Sequence, residues 1–330
     1  MGPRLPVYPG AWRGKDEGGQ ANDAARSCRR VRHWRASGLS TTLTLHPADA
    51  DTGIVFLRSA TADHPEREIR ADVRAVTATE FATVLGDGSG PLCSTAEHVL
   101  AALRGLGIDN AVVELDGAEV PIMDGSAQPF VTAIDRVGLT TLSAPRRYIQ
   151  VLKPIRVVQD KSVGELLPYA NGFRVEAEID FDNGMIGHQA MAIDVSPDSF
   201  RREIAGARTF GFMRDVAKLW SAGYALGASF ENTLVITEDR VLNPSGLRYP
   251  DEFVRHKILD AVGDLALAGA PLLGMYRVSR GGHRLNYSVL SALMADRTAW
   301  TVVDAEQPRR RGHADVAAGR MAPAYGPDVS

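Results

Sequence analysis

Apolar and polar positions fall into a regular order only from about Ser40 onward. Residues 1–32 are rich in Gly, Pro and Arg, carry neither a two-residue nor a 3.6-residue period, and read as a flexible tail. Thr42-Leu43-Thr44-Leu45-His46 then alternates as a half-buried strand should, and Gly53-Ile54-Val55-Phe56-Leu57 makes a second strand. Over residues 95–104 the period changes: Val99, Leu100, Leu103 and Leu106 share one face of a helix. Ala111 to Leu115 returns to strand. Pro145-Arg146-Arg147 marks a boundary, beyond which strands are expected over 149–158 and 173–179, then a helix, then a strand over 233–237. A long helix covers 251–268; Asp251 and Glu252 suit its positive end, and Gly269 suits its stop. The chain after about Gln307 is Arg-, Ala- and Pro-rich and reads as a second tail. The resulting division is a flexible tail (1–32), an N-terminal α+β domain (33–145), a C-terminal α+β domain (146–306) and a flexible tail (307–330). The two domains have similar element content, as an ancient duplication would leave, but no short repeat is visible.

Composition narrows the class without naming the chemistry. The 330 residues are 45% hydrophobic and 23% charged, which suits a soluble globular protein with room for two cores. A formal net charge of −3 asks for no nucleic-acid partner. Cys28 and Cys93 are too few for a disulfide framework and lack metal-type spacing; they fit a reducing cytoplasm. The best apolar stretch, 265–275, is interrupted by Gly269, Pro271 and Gly274 and falls short of the roughly 20 residues a membrane span needs. The N-terminus has arginines but no continuous apolar segment, so no secretory signal is expected. Asp16, Glu17 and Asp23 interrupt the positive run of a transit peptide.

Four local signals carry candidate chemistry. On the long helix, His256, Asp260 and Asp264 recur at four-residue spacing and project along one face. An imidazole and a carboxylate one turn apart can grip a cation; an internal His–Asp pair with surface charges is the plainer alternative. Glu97-His98 at the start of the 95–104 helix would suit a metal ligand beside a general base, although an early Glu is often only dipole and capping chemistry. Gly281-Gly282-His283 allows a sharp turn before a histidine, which could equally be structural. Ala207-Arg208-Thr209-Phe210-Gly211-Phe212 puts a hydroxyl among aromatic rings, or is simply a strand edge.

Together these runs resemble a known family, the UDP-3-O-acyl-N-acetylglucosamine deacetylases. The resemblance rests on Ser94-Thr95-Ala96-Glu97-His98-Val99-Leu100, Gly105-Leu106-Gly107-Ile108-Asp109-Asn110, Val120-Pro121-Ile122-Met123-Asp124-Gly125-Ser126-Ala127, the 207–212 run, Val254-Arg255-His256-Lys257-Ile258-Leu259-Asp260 and Gly282-His283-Arg284-Leu285-Asn286. They occur in the family's order over roughly residues 41–300. The resemblance implies an α+β fold of two similar domains, each a sheet with helices, the helices packed between the sheets. It implies a cytoplasmic, monomeric hydrolase that removes acetate from UDP-3-O-acyl-N-acetylglucosamine, the committed step toward lipid A and so toward lipopolysaccharide.

By the same resemblance, His98, His256 and Asp260 hold Zn2+ and leave one position for water, as catalytic zinc does. Glu97 corresponds to the general base, His283 to the acid that protonates the leaving amine, Asp264 to its hydrogen-bonded partner, and Thr209 to a stabiliser of the oxyanion. Lys257 and Lys161 correspond to lysines that bind the sugar diphosphate. Phe210, Met213, Val216, Ala225, Ser229, Phe230 and Val235 correspond to substrate-pocket and acyl-chain positions. One departure stands out. Relatives carry Gly-Leu-His-Ser/Thr-Gly before the first long strand, whereas here the stretch reads Arg35-Ala36-Ser37-Gly38-Leu39-Ser40-Thr41-Thr42-Leu43, with the His and its following Gly absent. That leaves two further readings: a relative that binds a nucleotide sugar or metal without turnover, and a zinc amidase acting on another acylated sugar. Glu97 and His283 argue against a mere binder, which needs neither.

Overall fold

A computed structural model describes residues 22–24, 28–32, 41–60, 65–216, 221 and 227–305. Two main sheets carry the expected strands. In the first, Thr41–Pro47 lies between Cys28–Arg32 and Ala111–Leu115, both antiparallel to it. Ala111–Leu115 runs parallel to Ile54–Arg58, which pairs antiparallel with Arg67–Arg70. Leu43, Leu45 and Phe56 are buried, as the alternation requires. A small sheet of Val76–Ala78, Val84–Asp87 and Gly90–Cys93 then leads into the first helix.

The second sheet has seven strands around Leu272–Ser279. This strand is antiparallel to Ser162–Leu167 and parallel to Phe173–Asp180, and its first residues pair in parallel with Arg147–Val151. The strand expected over 149–158 is two strands, Arg147–Val151 and Ile155–Gln159. Pro154 lies in the break; it has no N–H to give to a ladder. Part of the stretch expected as an N-terminal tail is also paired: Asn22–Ala24 with Leu139–Thr141, and Cys28–Arg32 with Thr41–Leu45. Ladder hydrogen bonds, rather than a hydrophobic alternation, define these edge strands. The rest of both expected tails lies outside the described residues.

Four helices shape the middle of the molecule: α1 (Glu97–Gly105), α2 (Gln128–Val137), α3 (Glu252–Leu265) and α4 (His283–Ala295). α1 packs against α3 and α2, α3 lies on Phe173–Asp180 and His188–Asp194, and α4 covers Ile155–Gln159 and Ser162–Leu167. The pattern suggested one apolar stripe on α1, yet Val99, Leu100, Ala101, Ala102 and Leu103 are all buried, so the helix is enclosed on every side. The buried faces of both sheets, α1 and α3 belong to one continuous hydrophobic core. The architecture is α+β.

Two glycines set the close approach of α1 and α3 to their neighbours. A Cβ on Gly263 would stand 2.1 Å from the Glu97 carbonyl oxygen, so α3 meets the first turn of α1 backbone to backbone only because that side chain is missing. A Cβ on Gly105 would strike the Phe200 ring at 2.3 Å. α3 ends through a tight turn at Ala266–Ala268, and Gly269, at φ +84°, closes it as the sequence led one to expect.

Candidate active site

The crossing of α1 and α3 brings together residues from distant parts of the chain. His98, His256 and Asp260 each offer a ligand atom, and these atoms lie within 4.8 Å of one another in a fully buried cluster. The Nε2 atoms of His256 and His98 stand 3.3 Å and 3.8 Å from Asp260 Oδ1. His256 Nδ1 donates to the Ala207 carbonyl at 3.1 Å, which leaves the Nε2 lone pair directed at Asp260. Burial, reinforced by His256, pushes the His98 imidazole down to about 3, and burial lowers His256 against the pull of Asp260, so both rings favour the neutral form that a metal ligand needs. Burial works against the Asp260 charge, but His256, Lys257 and the other histidines outweigh it and hold the carboxyl well below its usual range.

The donor set fits a divalent cation. Among the described residues, Asp260 Oδ1 and His98 Nδ1 are buried without a hydrogen-bond partner. A buried charged oxygen of that kind is costly unless something positive meets it. Two neutral imidazoles and one carboxylate match a three-ligand zinc site with an open position.

Glu97 begins α1, one residue before His98. Its Oε2 accepts from the Thr83 backbone N–H at 3.0 Å, and its Oε1 lies 3.9 Å from His283 Nε2. Burial, helped by Asp264 and Asp260 and opposed by His283, pushes its carboxyl up to about 7. His283 opens α4 after Gly282 and donates from Nδ1 to Asp264 Oδ2 at 2.9 Å. Burial alone would strip its proton, but Asp264 and Glu97 prevail and raise it to about 10. Asp264 also accepts from Asn286 Nδ2 at 2.8 Å and from the Thr83 hydroxyl at 2.6 Å; Tyr276 in turn donates to Asn286 Oδ1 at 2.8 Å. On the α3 face, Asp260 thus meets the two imidazole ligands and Asp264, one turn on, meets His283.

The other residues singled out in the sequence are placed less uniformly. Thr209 follows Ala207, whose carbonyl fixes His256, and precedes Phe210, whose ring centroid is 6.2 Å from that of His256. The Thr209 N–H donates to the Gly125 carbonyl and its own carbonyl accepts from Leu234, so this segment is pinned at the edge of the cluster. Lys257 turns inward: Nζ donates to Asp260 Oδ2 at 2.7 Å and lies over the Phe210 ring at 5.4 Å. Lys161 is exposed at the tip of a hairpin, beside Ser162, which donates to the Arg280 carbonyl near His283. Met213 and Phe230 are half exposed, Val216, Ser229 and Val235 are partly covered, and Ala225 lies outside the described residues, as does most of the altered stretch 35–42.

Several supporting residues have contacts that the sequence does not announce. Glu252, expected to serve the helix dipole, is wholly buried and takes the Arg208 backbone N–H and guanidinium at 3.0 Å and 2.8 Å, which ties the 207–212 segment to α3. Thr95 adopts φ +58°, rare for a β-branched residue, with its hydroxyl donating to Glu119 at 2.9 Å. Thr83 touches both acidic groups, Glu97 and Asp264.

The family model for UDP-3-O-acyl N-acetylglycosamine deacetylase matches residues 35–295. The chain belongs to this deacetylase family. Among curated relatives, the UDP-3-O-acyl-N-acetylglucosamine deacetylases of Brucella ovis and Brucella abortus are each 51% identical to it over 269 residues, covering 81% of this chain and 93% of theirs. The match to the deacetylase family spans α1, α3 and α4, and so every residue of the buried cluster. No helix among the described residues is long and apolar enough to cross a membrane.

Proposed function

We propose that the protein hydrolyses the acetamide of UDP-3-O-acyl-N-acetylglucosamine to acetate and UDP-3-O-acyl-glucosamine, the committed step of lipid A synthesis, as a zinc-dependent, cytoplasmic, monomeric enzyme. The observation that carries this reading is the meeting, in one buried cluster, of a His-His-Asp set suited to a cation with the Glu97 carboxylate and with His283, which stands 3.9 Å from Glu97 and is hydrogen-bonded to Asp264. Family membership and the activity for which the relatives are named supply the substrate.

His98, His256 and Asp260 would hold the cation, which when bound supplies Lewis-acid activation of water and of the amide carbonyl. Glu97 accepts the proton of the attacking water as the new C–O bond forms. Thr83 N–H keeps that carboxylate oriented. The carbonyl oxygen becomes an oxyanion, which the Thr209 hydroxyl and the His283 cation would stabilise. His283 carries its second proton on Nε2, because Nδ1–H is committed to Asp264. It gives the Nε2 proton to nitrogen as the C–N bond breaks, leaving a free amine and acetate. Lys257 and Lys161 take the diphosphate; Phe210, Met213, Val216, Ser229, Phe230 and Val235, with Ala225, line the way for the acyl chain.

The direct test is acetate release from UDP-3-O-acyl-N-acetylglucosamine by purified, zinc-loaded protein. Intact substrate after incubation with folded, metal-loaded enzyme overturns the reading, and faster release from another acylated sugar would change the substrate while keeping the chemistry.

A further inference from the structure

Thr83 is absent from every motif that marks the site, yet it touches both sides of it. The residue is 2% exposed, in the segment just before the strand Val84–Asp87. Three hydrogen bonds leave it in three directions. Its carbonyl accepts from the Ala96 N–H at 3.2 Å, at the mouth of α1. Its own N–H reaches Glu97 Oε2 at 3.0 Å, and its hydroxyl reaches Asp264 Oδ1 on α3 at 2.6 Å. The residue that would take the proton from water and the residue that orients the proton donor are therefore linked through a single side chain and its backbone.

The hydroxyl contact has a definite job. Asp264 is buried, and its Oδ2 is already shared by His283 Nδ1 and Asn286 Nδ2. Among the described residues, Oδ1 accepts from Thr83 alone. At 2.6 Å the bond lies in the range of charge-assisted O–H···O⁻ contacts, stronger than neutral ones. Without it, one oxygen of a buried carboxylate has no partner, and the carboxylate plane is held only through Oδ2, where it can tilt about its contacts to His283 and Asn286. His283, held through the other oxygen, would turn with it. A β-branched residue suits the task, because its χ1 is stiff and the backbone on either side is fixed by the bonds to α1.

We infer that Thr83 is a positioning residue for the deacetylation proposed above: through Asp264 it fixes the direction in which His283 presents its proton, and it holds that direction in register with Glu97. The inference rests on that functional reading for its kinetic consequence, but not for its structural one. Thr83→Val keeps shape and removes the hydroxyl; Thr83→Ser keeps the hydroxyl.

Kinetics and NMR test the two consequences separately. In Thr83→Val, kcat for acetate release falls about 10- to 100-fold, the range for loss of a supporting partner, with KM and zinc content unchanged. Thr83→Ser recovers most of the loss. In an Asp264→Asn background, Thr83→Val has little further effect, because the partner it orients has already lost its charge. Independently of turnover, the His283 Nδ1 proton, followed by NMR in zinc-loaded protein, shifts in Thr83→Val and returns in Thr83→Ser. An unshifted resonance overturns the inference even if no substrate is turned over. A wild-type protein that releases no acetate overturns the functional reading alone. A kcat loss that Thr83→Ser fails to restore, or that adds in full to Asp264→Asn, also overturns the positioning role.

Discussion

Glu97 and His283 stand 3.9 Å apart and pull each other toward the charge states a hydrolysis needs. Burial pushes the Glu97 carboxyl up to about 7, while Asp264 and Glu97 overcome burial and bring His283 up to about 10. The base is competent once deprotonated and the acid while protonated, so turnover rises with pH through the Glu97 value and falls as His283 loses its proton. A bound cation favours the Glu97 carboxylate and disfavours the His283 imidazolium, so the rising limb of kcat/KM lies at or below about 7 and the falling limb at or below about 10. A profile flat across both limbs would contradict the assignment. Glu97→Ala should keep its zinc and lose about 10²- to 10⁴-fold in kcat, measured by acetate release with metal content as the control. At this scale the candidates are legible in the sequence: Glu97, His98, His256, Asp260 and His283 lie in runs that resemble the family, and Asp264 follows on the helix face of His256 and Asp260. Thr83 is not, because a hydrogen bond to a residue 181 positions away leaves no local pattern.

The elements explain why those side chains meet. α1 and α3 approach until their backbones touch, and Gly263 is the permissive residue. Gly263→Ala should destabilise the fold by about 3 kcal/mol, the upper end for overpacking, because the clash is with backbone that has no rotamer to escape into. Urea denaturation with acetate release checks this; wild-type stability and turnover would show that the helices can part without consequence. The 3.6-residue period and Gly269 made α3 readable from its sequence. α4 escaped notice because Gly281-Gly282 reads as a turn, while the helix it starts owes its place to packing on Ile155–Gln159 and Ser162–Leu167. Pro154 marked the break between two strands that continuous apolar content had merged. Glu252 was assigned to the helix dipole because its Arg208 partner, 44 positions earlier, becomes a neighbour only in the fold.

For the molecule as a whole, the candidate metal ligands come from separate lengths of chain, His98 on α1 and His256 and Asp260 on α3. The helices that carry them share one continuous core, so a cation held by all three binds the folded state and not the unfolded chain. At a free concentration of about 100 times its Kd, such an ion adds about 2.7 kcal/mol to stability. Stripping it with a chelator should lower Tm by several degrees, and adding zinc back should restore it; a Tm indifferent to chelation would place any metal outside the core. Composition and periodicity announced α+β content but not this convergence, which depends on how the sheets are covered and which helix faces which. The most direct test is anomalous diffraction at the zinc absorption edge from crystals of the loaded protein. One strong peak bounded by His98, His256 and Asp260 is expected, lost in Asp260→Ala. A peak elsewhere, or one that persists unchanged in that variant, contradicts the convergence of these three side chains on a single cation.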